Sequence, residues 1–460
     1  MELKDVQKDI NIYKKALMLA VPMMIQSGIA NAVVLVDNLM VGSLGTECIT
    51  GVSISAQILF VFNLAVFGGL SGPGIYGAQY FGHGDREGFA NVFRLKLWIV
   101  MLVTFVGIGL FLFAGPFLIQ LYLTGEGSSF DPDLAMKHGL DYLNIMMVGL
   151  IPFALTQVYA GSFRETNHSI EPMVAGLASV GVDIVFNYLL IYGKMGLPAL
   201  GVKGAAIATV FSRFAELAII AGWRKARREQ YPYLEHVYDT LRIPIGSMKT
   251  IIRKSIPIFV NELLWAAGVA ALAQCYSRKG LAVVAGMNIA NVLCNLLNVV
   301  FINLGAAVGI LEGQFLGASE FDLAKDSAKK LVWFNGAVCL LLSLILIGLS
   351  GIFPKAYNTT DEVRELARWF IIILAIFFPI QGMMNTLYFV LRSGGKTIIT
   401  FIFDSVFSWT ILVPLAYILC RFSPLSIMLI LAIVQGAELL KVIFGYILVE
   451  KGIWITNLVA

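Results

Sequence analysis

Apolar runs of about twenty residues recur along the chain from Ala16 to Val449, separated by short polar stretches. Clear cases are Leu97–Ala114, Val332–Leu349 and the run that opens at Phe370. A helix of about twenty apolar residues crosses roughly 30 Å of hydrocarbon. The alternating polar and apolar positions of a membrane barrel are absent, and spanning backbone has to satisfy its own hydrogen bonds. The pattern therefore predicts spanning helices near 16–42, 50–80, 92–114, 138–162, 170–193, 202–223, 250–276, 281–311, 328–351, 366–391, 398–420 and 425–449. The fold class it defines is an all-α integral membrane protein of about twelve transmembrane helices.

Composition sharpens this reading. Of the 460 residues 58% are hydrophobic and 13% charged, and the mean hydropathy is +0.82. Soluble domains carry about 25% charged residues, so too little charge is present to cover a soluble surface. The net charge of +4 is explained by where the cations fall. With both termini in the cytoplasm, Lys4, Lys8, Lys14 and Lys15, then Arg224, Lys225, Arg227 and Arg228, then Lys325, Lys329 and Lys330 lie on the cytoplasmic side. These clusters read as topology determinants in a cell membrane, not as a nucleic-acid surface. The first apolar run is a full span containing Pro22 and Asp37, so no cleavable signal peptide is expected. Cys48, Cys275, Cys294, Cys339 and Cys420 show no CxxC spacing and read as small hydrophobes, and the four histidines form no metal motif.

The chain repeats itself. A shift of 235 residues aligns Pro22 with Pro257, Gly45 with Gly280, Gln79 with Gln314 and Gly82 with Gly317, the last two pairs inside GAQYFG and EGQFLG. Further on the shift falls to about 228, matching RETNHSI with RSGGKTI and Arg164 with Arg392. The difference falls at GEGSSFDPD (Gly125–Asp133), present in the first half only. The expected organisation is an N-terminal six-helix lobe at 1–223, a basic cytoplasmic linker at 224–249 and a C-terminal six-helix lobe at 250–460. An even number of spans per half gives repeats related by an axis along the membrane normal, with a central cleft for alternating access.

Ionisable groups inside spans cost about 2.5–3.5 kcal/mol each on insertion scales, so each asks for a reason. Asp37 lies in span one. Asp183 and Asn187, four apart in span five, share a helix face. Asn261 and Glu262 follow Pro257 in span seven, and Asp404 lies in span eleven. Asp37, Asp183, Glu262 and Asp404 have no obvious cation beside them on the same helix, so each must face a polar cavity, bind a cation or stay protonated. Arg213 with Glu216, and Glu438 with Lys441, read as neutralising pairs within one helix, and Glu312 reads as interfacial. Pro22 and Pro257 bend the first helix of each half, as packing kinks or as hinges.

Three segments resemble motifs of the multidrug and toxic compound extrusion (MATE) transporters. LVDNLMVGSLG (Leu35–Gly45) resembles the first-span motif, FNYLLIYGKMGLPALGVKGAAIATV (Phe186–Val210) the motif joining spans five and six, and LRSGGKT (Leu391–Thr397) the motif after span ten. The resemblance implies a V-shaped pair of pseudo-symmetric six-helix lobes and exchange of Na⁺ or H⁺ for organic cations or amphipathic drugs. It places Asp37 on the family's first-span acid, which takes part in cation binding, with Asp183, Asn187 and Thr209 beside it. The family's fifth-span pair is commonly Asn-x-x-x-Asp or Asn-x-x-x-Asn, whereas here the carboxylate comes first. In the second lobe Glu262 comes earlier than the span-seven acid of one branch, and Gln381 stands where that branch has a span-ten acid.

The reading that results is a monomeric secondary antiporter with no cofactor beyond its coupling ion. Asp37, Asp183 and Asn187 take Na⁺ or protons, and a first helix bent at Pro22 rearranges. Glu262 recognises the substrate cation, with Asn261, Asp404 and Gln381 in the second-lobe set. Trp265, one turn on, offers either an aromatic face or simple packing. The alternative is a flippase for lipid-linked saccharides on a similar duplicated bundle, which would need a strongly cationic cleft. An enzyme is not expected, since no HExxH, GxSxG or GxxxxGK[ST] pattern occurs.

Overall fold

The computed structural model describes residues 3–123 and 131–460. Gly125–Phe130 of the first-half insertion and the side chains of Lys4 and Lys8 lie outside the described residues. Thirteen principal helices follow in order: α1 (Leu3–Gly42), α2 (Thr46–His83), α3 (Arg86–Leu123), α4 (Pro132–Met146), α5 (Leu150–Glu165), α6 (Ile170–Tyr192) and α7 (Val202–Ala226). Then come α8 (Ile245–Ser277), α9 (Leu281–Gly317), α10 (Phe321–Ser350), α11 (Asp361–Ser393), α12 (Thr397–Phe422) and α13 (Ile427–Glu450). Eleven of them are long and apolar enough to cross a membrane. Taken as one broken span, α4 and α5, bent by 52°, bring the number to twelve.

That bend is a departure from the straight span expected at 138–162, and its cause is local. Pro152 lies in the first turn of α5 and has no N–H to give to the preceding turn, so the ladder breaks at Met147–Gly149. Elsewhere the ends follow ordinary capping chemistry. The Asp131 carboxylate accepts from the Asp133 and Leu134 amides at the start of α4, with Pro132 at the first helical position. Gly193 adopts φ 65° to close α6. In α12 the residues Ile402–Val406 and Ser408–Leu412 widen into π-helix.

The helices pack as two units. One contains residues 1–24, 78–85 and 251–460; the other contains 25–77 and 86–250. Packing therefore does not divide the chain at the same places as the repeat. Residues 1–24 and the end of α2 belong with the C-terminal half, and the change of unit in α1 falls just after Pro22. The first unit has its core around Leu304, Leu311, Leu331, Leu387 and Trp454.

Within that first unit the two matched motifs meet. A side chain at Gly82 would collide with the backbone of Gln314, and one at Gly317 would collide with the backbone of Gln79. Each glycine thus lets its helix lie on the other motif's glutamine, a reciprocal contact of small residues that brings membrane helices close. Gln79 then donates to the Ser393 carbonyl at 2.9 Å and accepts from the Leu458 amide at 2.7 Å, tying the C-terminal tail to the same point.

The basic linker is a packed cap on the second unit. Tyr231, Leu234 and Val237 are buried. Arg94 donates to the His236 and Val237 carbonyls at 2.9 and 3.1 Å, and Arg224 donates to those of Leu234 and Glu235 at 2.8 and 3.0 Å. Arg224 is therefore a structural clamp. Burial and the Glu171 carboxylate push the Tyr231 hydroxyl up to about 12, so it stays a donor to Glu171 across the physiological range.

Replacing Gly82 or Gly317 with alanine forces the glycine–glutamine crossing apart. Overpacking of this kind costs about 1–3 kcal/mol. Each variant is expected to melt below the parent in detergent by fluorescence thermal shift, whereas Gly109→Ala, which meets open space, should melt with it.

Candidate functional site

In the second unit α1 and α6 bring Asp37, Asp183 and Asn187 together. The four-residue spacing puts Asp183 and Asn187 on one face of α6. Val41 and Ile191, each four residues beyond Asp37 and Asn187, pack in one apolar cluster with Val52 and Val202. One turn from that layer, the Asn187 amide donates to Asp37 Oδ1 at 2.8 Å and to Asp183 Oδ2 at 3.1 Å. Asn187 and Asp183 are buried, and Asp37 is half-buried. One amide group spends both its protons on two carboxylates. Asp183 Oδ1 and Asn187 Oδ1 are left buried without a hydrogen bond.

Thr209 and Ser212 of α7 stand beside Asp183, and Tyr142 of α4 lies close to both carboxylates. Thr209 donates back to the Ala205 carbonyl at 3.1 Å and Ser212 to the Thr209 carbonyl at 2.9 Å. Those protons are spent, so the hydroxyl lone pairs remain as acceptors. The donor set is a group of hard oxygens of the kind that suits a small cation or a shared proton.

Arg213, on α7, is the nearest fixed cation. The expected Arg213–Glu216 ion pair does not close. The guanidinium donates to the Gly149 carbonyl at 3.3 Å and lies 5.0 Å over the Phe153 ring, held there by the bend between α4 and α5. It feels Asp183, Tyr142 and Glu216 electrostatically, yet it makes no ion pair within 4.0 Å with any carboxylate among the described residues.

The first unit treats its acids differently. Glu262 of α8 lies 3.6 Å from Arg392 of α11 and accepts from the Tyr388 hydroxyl at 3.0 Å. Asn261 donates to Tyr388 at 3.2 Å and to Asp404 Oδ2 at 3.0 Å, and it accepts from Ser405 at 2.6 Å. Asp404 accepts from Lys441 of α13 at 3.0 Å. The result is one buried chain, Arg392–Glu262–Tyr388–Asn261–Asp404–Lys441. The intrahelical Glu438–Lys441 pair expected from the spacing is replaced by a bond between helices, because Lys441 reaches across to α12. Glu262 and Asp404 have no cation within a turn on their own helix, but each finds one on a neighbouring helix.

Two expected members lie outside this network. Gln381 donates to Gln435 at 3.0 Å, and Trp265 is 44% exposed. Glu312, expected at the interface, is fully buried and accepts from Ser327 at 2.7 Å. Tyr388 and Arg392 had escaped notice as site residues. Their four-residue spacing on α11 was legible, but nothing in it said which carboxylate they would meet. A buried pair of Lys96 with Glu165, whose carboxylate takes both oxygens to the ammonium at 2.6 and 2.5 Å, was also not foreseen. Gly77 leaves the room that Glu165 needs.

A membrane-spanning helical chain with a buried oxygen site in one unit and a network of ion pairs in the other is built as a multi-pass transporter. The chain matches the family described as MatE over residues 22–189 and 257–418, and it belongs to that family. It is 23% identical to the probable multidrug resistance protein YoeA of Bacillus subtilis over 428 residues, covering 91% of this chain and 89% of that one. It is 27% identical to the probable multidrug resistance protein NorM of Pasteurella multocida, covering 89% and 86%. Among solved structures, the bent form of the Vibrio cholerae MATE transporter VcmN matches at TM-score 0.82 and 16% identity, over 97% of this chain and 98% of that chain. A MOP superfamily transporter from Pyrococcus furiosus matches at TM-score 0.83 and 18% identity, over 96% and 95%. The match to the solved structures concerns the fold.

Arg392→Met leaves Glu262 buried without its cation, a change that costs about 3–5 kcal/mol for buried pairs. A lowered melting temperature is expected, with recovery in Arg392→Met/Glu262→Gln. Equal melting of all three proteins would show that the pair is not coupled.

Proposed function

We propose that this chain is a secondary antiporter of the cell membrane that exports organic cations or amphipathic drugs in exchange for Na⁺ or H⁺. The observation that carries the reading is the Asp37–Asn187–Asp183 cluster. Two carboxylates sit there among acceptor oxygens with no cation in direct contact, and two oxygens are left without partners. Such a group is costly inside a membrane unless a mobile positive charge visits it.

The coupling follows from the same residues. With no ion bound, Asp37 and Asp183 repel each other across the single amide of Asn187. A Na⁺ held by Asp37, Asp183, Asn187 and Thr209, or a proton on one carboxylate, relieves that repulsion and draws α1 toward α6. Coupling also needs the exported molecule to prefer the opposite arrangement, since tight ion binding alone shifts nothing. Pro22 is placed to act as the hinge, because the helix changes packing unit just beyond it. Pro257 holds the matching position in α8, whose own change of unit comes before it, between Thr250 and Ile251.

Multidrug resistance proteins among the relatives favour drug-like cargo. The flippase alternative wants unpaired cations to receive a pyrophosphate, whereas Arg392 and Lys441 already have carboxylate partners. The protein is taken to work as a monomer with both termini in the cytoplasm.

Proteoliposomes loaded with a fluorescent organic cation and given separate Na⁺ and pH gradients test the reading. Asp37→Asn is expected to abolish gradient-driven export, by at least about a hundredfold if this carboxylate carries the ion, while the protein still inserts and melts normally. Export at the parental rate in Asp37→Asn, or indifference of the parent to both gradients, overturns it.

A further inference from the structure

A cavity of ≈ 290 Å³ lies between α12 and α13 in the first unit. Its wall is largely apolar, with Phe403, Phe407 and Phe444 providing rings and Thr410 a hydroxyl. Lys441 is the one charged group in that wall. Its ammonium lies 6.0 Å from the centre of the Phe403 ring and 5.5 Å from that of Phe407, while bonding Asp404 at 3.0 Å. A cation flanked by two aromatic faces and backed by a carboxylate is the arrangement in which proteins recognise organic cations. Here a lysine of the chain occupies it.

The charges nearby do not balance. Arg392 answers Glu262 and Lys441 answers Asp404, but Glu438 is a further carboxyl within electrostatic reach of both Lys441 and Asp404. Glu438 Oε2 is buried and makes no hydrogen bond. It lies three residues before Lys441 on α13, so a lysine released from Asp404 reaches it by a change of rotamer. The wall on the α12 side is the π-helical stretch that carries Asp404, an irregularity found mostly where helices serve a function.

We propose that this cavity binds a hydrophobic organic cation, and that Lys441 is a tethered stand-in for it. When the ligand's charge arrives between Phe403 and Phe407 and faces Asp404, Lys441 swings to Glu438. The surplus carboxyl then has its partner, and the set of Asp404, Glu438, Lys441 and ligand is neutral. The cavity volume is at the lower end of ordinary ligand pockets, about 300–1,000 Å³, and so fits a compact cation. The site names where the proposed cargo sits, and rests on the reading that the cargo is an organic cation.

Equilibrium binding of benzyltrimethylammonium to the purified full chain in detergent, with no ion gradient, tests it. Lys441→Met removes the competitor, so affinity is expected to rise about tenfold, the worth of one modest ion pair. Glu438→Gln takes away the lysine's second position, so affinity is expected to fall by a similar factor, and the effect should shrink in the Lys441→Met background. Should Lys441→Met fail to yield monodisperse protein, Glu438→Gln decides alone. Unchanged affinity in Lys441→Met or unweakened binding in Glu438→Gln overturns the proposal. So does the neutral isostere neopentylbenzene binding with the same response, which would mark a groove for any apolar chain. Because no gradient is applied, these results stand apart from those of Asp37→Asn: lost binding effects leave ion coupling intact, and failed coupling leaves the cavity intact.

Discussion

A charge inside hydrocarbon has to be answered, and two clusters of this chain answer it in opposite ways. Water solvates a carboxylate far better than lipid or packed side chains do, so each buried acid needs a neighbour that restores that loss. For Glu262 and Asp404 of the first unit the answer is a cation from another helix. Arg392 and Lys441 reach Glu262 and Asp404 from neighbouring helices, with Tyr388 and Asn261 filling the remaining bonds. In the second unit Asp37 and Asp183 share one neutral amide, and the nearest arginine is held over Phe153 by the broken span. The site left incomplete in this way is the one proposed to take a small cation.

The repeat makes this asymmetry easier to read. Gln26, matched to Asn261 by the shift of the first spans, accepts from Arg164 at 2.7 Å, and Arg164 is the counterpart of Arg392. Both halves therefore anchor an arginine from the end of one span to a polar residue a turn past the proline of another. In the first half the anchor is the Gln26 amide, with Glu165 and Glu216 in electrostatic reach of Arg164; in the second it is the carboxylate of Glu262. Asp37 has an apolar counterpart, Leu272. A common scaffold has taken on its ionisable groups separately in each half, so the chemistry is not duplicated although the helices are.

The close crossing of GAQYFG and EGQFLG shows what the duplication does keep. Each glycine admits the other segment's glutamine backbone, and a one-atom side chain at either position would separate them. Helices in a membrane gain little from hydrophobic burial against one another, so close backbone approach and interhelical hydrogen bonds carry the association. The matched spacing in sequence is the trace of that contact.

The spans, the duplication and the identity of the acidic residues were determined by the sequence alone, because hydrocarbon imposes a length and a helix on any chain that crosses it. The pairing of Asp183 with Asn187 was equally legible, since both lie on one helix at a spacing that fixes their side. Which helices meet was a different matter. Intrahelical spacing offered Lys441 to Glu438 and Arg213 to Glu216, but packing carried Lys441 to Asp404 and Arg213 to Gly149 and Phe153. The bend at Gly149 and Pro152 and the end of α2 packing with the second half's helices were likewise settled only in three dimensions. Periodicity records what one helix presents to its surroundings; the partner that answers a buried charge comes from another helix, and only tertiary packing selects it.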